Sequence, residues 1–156
     1  MSTELAPGET APGFRLPRDG GGEVALSDLA GKKVVLYFYP KDDTSGCTLE
    51  AVEFSARAAE FDAAGVAVLG VSKDSVRSHD KFRDKHALGV ILLSDEGSDV
   101  SERYGVWGEK SMYGRKYMGI ERATFLIDAS GRLARIWRKV KVPGHVEEVL
   151  AAAKAL

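Results

Sequence analysis

The only cysteine of the chain, Cys47, lies where an apolar segment gives way to a predicted helix. It follows Thr44, Ser45 and Gly46, residue types that are common at turns and helix starts. A thiol in the first turn of a helix lies beside unpaired backbone N–H groups and the positive end of the helix dipole, and both favour the thiolate. Cys47 is therefore a candidate nucleophile. The alternative is an unreactive buried side chain, for which a strand interior or an apolar helix stripe is the expected place.

The carboxylates around Cys47 receive weaker assignments. Asp42 and Asp43 are neighbours in a turn with no partner at a useful spacing, so we interpret them as solvated and assign them no acid–base role. Glu50 stands in the first turn of the predicted helix. An acidic side chain there either belongs to a reactive site or only complements the helix dipole, and the sequence favours neither.

We expect no part in the chemistry for the three histidines or for the basic residues near the C-terminus. No cysteine or carboxylate cluster accompanies the histidines in sequence, so we predict no metal site and no cofactor. They are His79, His86 and His145. The basic residues fit a solvated strand edge better than a docking patch. They are Arg135, Arg138, Lys139 and Lys141.

Length and charge limit the classes of protein to which the chain can belong. Its 156 residues are enough for one domain with a sizeable core, spanning 1–156. A formal net charge of -1 with interspersed signs predicts no nucleic-acid or membrane partner. The first ten residues lack the basic and apolar regions of a secretory signal, and no apolar run could span a bilayer. A single cysteine excludes an internal disulfide and fits a reducing compartment, so we expect a cytoplasmic protein.

Hydrophobic patterns predict alternating strands and helices around the cysteine. The segment before it, residues 34–39, is an unbroken β-branched and aromatic run typical of a strand buried on both faces. The elements that follow are a helix from Thr44 or Ser45 to near Gly65, a strand at 66–71, a helix begun by 74–75 and a strand at 90–93. Strand–helix–strand–helix order implies parallel pairing with right-handed crossovers.

The two ends of the chain add β-hairpins, which short extended segments joined by turn residues predict. An amphipathic stripe predicts a final helix. The predicted pieces are a surface lead-in over 1–13, a hairpin around the turn at 19–22, a short helix at 98–104, a long loop through Met118, a hairpin of strands 123–127 and 133–137, and a helix beyond Pro143.

The pattern Pro40-x-x-x-Thr44-x-x-Cys47 resembles the peroxidatic signature of the peroxiredoxins. Further segments resemble the bacterioferritin-comigratory, or Q-type, subfamily and extend the resemblance over nearly the whole chain. They are residues 39–42, 46–50, 112–114, 119–126, 137–141 and 144–145. The resemblance implies an α/β thioredoxin fold, with an N-terminal β-hairpin extension and a central mixed sheet flanked by helices. It also implies a thiol-dependent peroxidase that acts on hydrogen peroxide and organic hydroperoxides in antioxidant defence.

Peroxide reduction requires a thiolate to attack one oxygen while the other leaves with negative charge. By resemblance, Cys47 is the peroxidatic nucleophile and Thr44 hydrogen-bonds the peroxide. Pro40 shields the thiol from water, while Arg122 polarises the peroxide and stabilises the thiolate. Taken singly, these residues have plainer explanations: a strand stop for Pro40, an N-cap for Thr44 and a surface arginine for Arg122.

The chain departs from many relatives in lacking a resolving cysteine. The positions that commonly hold one are occupied by Val52 and, by our best alignment, Arg83. We therefore expect a one-cysteine cycle in which Cys47 becomes a sulfenic acid and an external thiol regenerates it. Thioredoxin, glutaredoxin with glutathione, or a small thiol could serve as the reductant. Q-type relatives are often monomers, so we expect a monomer.

Two other functions would use the same cysteine. A redox sensor or interaction module needs only slow oxidation of Cys47, and the combination of Arg122, Thr44 and Pro40 favours the peroxidase over it. A thiol–disulfide oxidoreductase is disfavoured because Cys47 has no second cysteine at the Cys-x-x-Cys spacing.

Overall fold

The computed structural model describes residues 4–156, so positions 1–3 of the predicted lead-in lie outside the described residues. The elements are β1 Arg15–Pro17, β2 Glu23–Ala25, β3 Lys33–Phe38, α1 Ser45–Ala56, α2 Ala58–Ala63, β4 Val66–Ser72, α3 Val76–His86, β5 Ile91–Ser94, α4 Val100–Arg103, β6 Trp107–Met112, β7 Arg115–Ile120, β8 Ala123–Ile127, β9 Leu133–Trp137 and α5 His145–Lys154. None of the helices within residues 4–156 is long and apolar enough to cross a membrane.

A five-stranded sheet in the order β5, β4, β3, β8, β9 forms the centre of the fold. The pairs β3–β4 and β4–β5 are parallel, whereas β8 is antiparallel to both β3 and β9. Parallel neighbours need a crossover connection, which α1 with α2 and then α3 provide. Strands β1 and β2 pair as a separate antiparallel hairpin. The predicted mixed sheet, flanking helices and N-terminal hairpin are therefore confirmed.

Strand β3 is buried on both faces, as its apolar run predicts. Every residue from Val34 to Phe38 is buried, and successive side chains enter opposite cores. Val34, Leu36 and Phe38 pack in the core that also holds Tyr104 and Phe125. Val35, Tyr37 and Tyr39 pack in the core under α1, together with Cys47 and Phe54.

The single helix predicted between Thr44 and Gly65 is two helices, α1 and α2, that meet at Arg57. Two side-chain interactions accompany the break. Ser55 Oγ donates a hydrogen bond to the carbonyl of Ala51 at 2.7 Å, a contact that tends to bend helices. The Arg57 guanidinium donates to Glu60 on α2 and to Glu147 on α5. The break lets Phe61 of α2 reach the core.

The prediction of a long loop through Met118 is wrong, because β6 and β7 form an antiparallel hairpin there. Tyr113 and Gly114 at its tip both have positive φ, 51° and 77°, as a type I′ turn requires. Residues 111–118 are exposed, so the hairpin has no buried apolar alternation from which a strand could be predicted. Its second strand ends two residues before Arg122.

Candidate active site

Cys47 lies in the first turn of α1 and is nevertheless buried, with 1% of its surface exposed. The sequence presents these two situations as alternatives, but the structure combines them. The first turn of α1 packs over the end of β3, so a residue at the helix start is also part of the core. The thiol therefore has the backbone N–H groups of a helix start on one side and the apolar core on the other.

Arg122 lies between β7 and β8 and reaches the thiol. Its Nη2 donates a hydrogen bond to Cys47 Sγ at 3.3 Å, and its Nη1 donates to Glu50 Oε1 at 2.7 Å. The Arg122 side chain is only 16% exposed, so the plainer interpretation as a surface arginine is wrong. A Cβ at position 46 would come within 3.1 Å of Nη2, so Gly46 leaves the space that the guanidinium occupies.

Glu50 is a site residue to which the sequence assigned no definite role. It is fully buried, and this burial raises its pKa to about 7 against the opposing effect of Arg122. Its Oε2 has no hydrogen-bond partner among the groups of residues 4–156. A surface acid that only complements the helix dipole would be solvated, so that explanation is excluded. The spacing of three residues from Cys47, which puts both side chains on one helix face, was the available signal.

Thr44 occupies the N-cap position of α1, but its side chain does not cap the helix. Instead, Thr44 Oγ1 donates to the carbonyl of Lys41 at 2.9 Å. Because the hydroxyl proton is engaged, the oxygen lone pairs can accept a hydrogen bond from another group, such as the O–H of a hydroperoxide. Pro40 is half-buried at the start of the same loop.

Tyr37 forms the floor of the site from β3. Its ring stacks on Phe54 with centroids 4.6 Å apart, and its hydroxyl has no hydrogen-bond partner in the described part of the chain. Burial, followed by the negative charges of Glu50 and Cys47, raises the pKa of Tyr37 well above its usual range. The phenol therefore stays neutral and supplies bulk rather than charge beneath the thiol.

The interpretation of Asp42 as a solvated carboxylate is wrong. Asp42 is buried, and its side chain lies 2.7 Å from Nδ1 of His79. Asp43 is exposed, as predicted, but it contacts Lys85 and His86. The pairing was invisible in sequence because 37 and 43 positions separate the residues of the two Asp–His pairs.

The remaining candidates lie away from the thiol or are engaged elsewhere. His145 is buried against Thr124, and burial lowers its pKa to about 4. Arg135 pairs with Glu148 and lies over the Trp137 ring. Over residues 4–156, no three side chains of the His, Cys, Asp and Glu types gather where they could hold a metal ion.

Comparison with known proteins identifies similar chains. The model of the AhpC/TSA family matches residues 7–136. Peroxiredoxin Bcp of Bacillus subtilis (strain 168) is 49% identical over 154 residues, which cover 99% of this chain and 97% of that protein. Among solved structures, Xylella fastidiosa PrxQ, a cysteine-to-serine mutant, superposes with a TM-score of 0.92 at 41% identity, covering 99% and 98% of the two chains. Peroxiredoxin Q of Xanthomonas campestris gives a TM-score of 0.86 at 48% identity, covering 91% and 90%.

Proposed function

We propose that this chain, which belongs to the AhpC/TSA family, reduces hydroperoxides by a one-cysteine cycle centred on Cys47. It is a thiol peroxidase of the bacterioferritin-comigratory, or peroxiredoxin Q, type and has a thioredoxin-like fold. The observation that carries this proposal is the contact of Arg122 with both Cys47 Sγ and Glu50. A largely buried cation beside a thiol at a helix start supplies the positive charge and hydrogen-bond donors that a thiolate nucleophile requires.

In the first step, the Cys47 thiolate attacks one peroxide oxygen and the O–O bond breaks. Sulfur loses two electrons and becomes the sulfenic acid, while the other oxygen takes up a proton and leaves as water or an alcohol. Negative charge moves from sulfur to the leaving oxygen in the transition state. Arg122 and the backbone N–H groups at Gly46 and Cys47 are donors that can follow this movement, because they need little reorganisation.

Thr44 and Pro40 act on the peroxide and its surroundings. The Thr44 hydroxyl, already bonded to the Lys41 carbonyl, presents an acceptor to the peroxide O–H. Pro40 restricts access of water to the thiol from the loop side. Hydrogen peroxide and small organic hydroperoxides are the proposed substrates.

Regeneration uses an external thiol. The chain has no second cysteine, and the positions of common resolving cysteines hold Val52 and Arg83. The external thiol attacks Cys47 sulfur, water leaves, and a second thiol releases the mixed disulfide. Thioredoxin, glutaredoxin with glutathione, and a small thiol are the candidate reductants of a monomeric enzyme. Cytoplasmic antioxidant defence is the proposed setting, because a lone redox-active thiol suits a reducing compartment.

The proposal is tested by the second-order rate of Cys47 oxidation by hydrogen peroxide, followed by stopped-flow tryptophan fluorescence. We expect a rate far above that of a free thiol, and a loss of about 100-fold or more in Arg122→Ala, since one donor to the developing charge is removed. Arg122→Lys keeps a positive charge beside Glu50. If this variant folds and its oxidation is also slow, the loss in Arg122→Ala is not caused by misfolding. Arg15→Ala, a change of an exposed arginine that pairs with Glu23, is the matched control.

A rate like that of an ordinary thiol, unchanged in Arg122→Ala, would contradict the peroxidase cycle. It would favour the redox-sensing interaction module, which needs only slow oxidation of Cys47.

A further inference from the structure

The loop that carries the peroxidatic signature is anchored to helix α3 by Asp42. One carboxylate oxygen accepts a hydrogen bond from Tyr39 Oη at 2.6 Å. The other accepts from Ser78 Oγ and lies next to His79 Nδ1, each at 2.7 Å. The backbone N–H of Asp42 donates to Asp74 Oδ2 at 2.8 Å, on the loop before α3. Asp42 is thus the buried fixed point of an otherwise largely exposed loop, residues 40–44.

His79 has an acceptor at each ring nitrogen. Nδ1 faces the Asp42 carboxylate, and Nε2 lies 2.9 Å from the carbonyl oxygen of Leu93 on β5. A carbonyl oxygen only accepts, so Nε2 must carry a proton, and the bond to the carboxylate requires another on Nδ1. The contacts therefore select the imidazolium, held against an Asp42 carboxylate whose other hydrogen bonds come from hydroxyl donors.

The surroundings of His79 support the charged form. The side chain is completely buried, and the polar groups facing it are Asp42, the Tyr39 hydroxyl and the Leu93 carbonyl, with the Asp74 carboxylate nearby. Burial alone would lower the pKa of His79, but the hydrogen bond and the negative charge of Asp42 outweigh it and raise the pKa above the usual value. Lys85 and His86, further along α3, contact Asp43 instead.

We propose that Asp42 and His79 are positioning residues for the peroxidase reaction, whose buried ion pair holds residues 40–44 so that Pro40 and Thr44 face the peroxide bound at Cys47. Asp42 lies two residues from each of them in the chain. Within residues 4–156, the Thr44 side chain makes one hydrogen bond, from its hydroxyl to the Lys41 carbonyl. Loss of the pair would leave the thiol and Arg122 in place and misplace the groups that orient the substrate. This inference rests on the proposed function of Cys47.

The pair also predicts a pH dependence. Since the pKa of His79 is raised, the proton that holds the pair is present at low pH and is lost as the pH rises through the folded-state value. After that loss, one of the two ring nitrogens carries no proton, so His79 can no longer donate to both the Asp42 carboxylate and the Leu93 carbonyl. The loop is then held less firmly, so peroxide reactivity should fall relative to the intrinsic reactivity of the thiolate.

The test compares two reactions of the same thiol, oxidation by hydrogen peroxide and alkylation by iodoacetamide. Both require the thiolate, but only the first requires a correctly oriented peroxide. In Asp42→Asn we expect the peroxide rate to fall by about 100-fold, the cost of a small misplacement of reacting groups, while the alkylation rate changes much less. Asp99→Asn is the matched control, because its ion pair with Arg103 is exposed and lies outside residues 40–44, so the change should leave both rates unchanged.

A purely structural role would lower the melting temperature and leave the peroxide rate of the folded protein unchanged, and that outcome would overturn the inference. Because Asp42→Asn could fail to fold, the ratio of the two rates is also measured in the unmodified protein from acid to alkaline pH. Since Glu50 beside Arg122 also titrates near neutral pH, the same ratio is measured in Glu50→Gln. A ratio that falls there as His79 loses its proton, followed by NMR, supports the inference, and a constant ratio overturns it. Slow oxidation of the unmodified protein would instead contradict the proposed function.

Discussion

Arg122 divides its guanidinium between two groups that can be anionic, the Cys47 thiol and the Glu50 carboxyl. Glu50 is buried, and its pKa of about 7 means that it takes up or releases a proton near neutral pH. When Glu50 is neutral, the positive charge of Arg122 acts mainly on sulfur. When it is ionised, the same charge is shared. The protonation state of Glu50 therefore affects both the stability of the fold and the electrostatics of the site.

Glu50→Gln should flatten the dependence of stability on pH. Between the unfolded pKa of 4.5 and the folded value of about 7, native Glu50 keeps a proton that the unfolded chain has released. The free energy of unfolding therefore falls as the pH rises through this window. Glutamine cannot titrate, so the variant should lack about 3 kcal/mol of this fall. Urea unfolding of both proteins at about pH 5 and about pH 8 measures it.

Glu147→Gln is the control for this experiment, because Glu147 is an exposed carboxylate that pairs with Arg57. Other titratable groups, such as His79, are present in all three proteins and cancel in the comparison. Equal pH slopes for Glu50→Gln and the unmodified protein would show that Glu50 is ionised throughout.

At the level of elements, the site depends on how closely β3 and β4 pack beneath α1. Tyr37 of β3 pairs in register with Gly70 of β4, and the tyrosine ring lies across the glycine. A Cβ at position 70 would approach Tyr37 Cζ at 2.6 Å and its hydroxyl at 2.7 Å, both too close for a real contact. Phe54 of α1 stacks on the ring and leaves it little room to move. Gly70 is therefore a packing requirement for the floor of the site.

Gly70→Ala should destabilise the protein by about 3 kcal/mol, the upper range for overpacking a buried position. It should also slow oxidation of Cys47, since the displaced Tyr37 ring belongs to the same core cluster as the thiol. Gly108→Ala in β6 is the matched control. Among the described residues other than its chain neighbours, none has an atom within 4 Å of the added Cβ, and the backbone is not in the left-handed region. Thermal unfolding of the two variants compares their melting temperatures, and we expect that of Gly70→Ala to be lower. Equal melting temperatures would show that the Tyr37 ring can shift without cost.

For the molecule as a whole, the main consequence of the single buried thiol is how a reductant reaches it. Cys47 is 1% exposed in this state, and the chain has no other cysteine to carry the disulfide to the surface. In the proposed cycle an external thiol therefore approaches Cys47 itself, which lies close in sequence to the exposed Thr44 and Leu49. An alternative is a disulfide between the Cys47 residues of two copies, which would require both sites to open at once.

These two routes differ in how turnover depends on protein concentration. For a monomer regenerated by an external thiol, the rate per molecule should be independent of enzyme concentration and rise with the concentration of the thiol. Mass spectrometry of the oxidised protein quenched with glutathione should show one glutathione per chain. A rate per molecule that rises with enzyme concentration, with a covalent dimer on non-reducing gels, would contradict the proposed route. Analytical ultracentrifugation of the reduced protein tests the monomer directly.

The sequence by itself determined the central strand, the helix start that carries Cys47 and the order of parallel elements. These features depend on local composition and periodicity, since the apolar run at residues 34–39 needs two covered faces wherever it lies. The exposed β6–β7 hairpin and the break at Arg57 escaped prediction because no buried periodicity marks either. Cys47 was identified from its place at the predicted helix start, whereas Pro40, Thr44 and Arg122 were named through the resemblance to a family.

Only the tertiary structure decided which side chains share the site. Arg122 is 75 positions from Cys47, and His79 is 37 positions from Asp42, so neither contact leaves a periodic signal in the chain. The same separation explains why Asp42 was wrongly interpreted as solvated and why the role of Glu50 was left open. Whether a carboxyl group is solvated or buried depends on what packs against it. That partner is supplied by α3 for Asp42 and by Arg122 for Glu50.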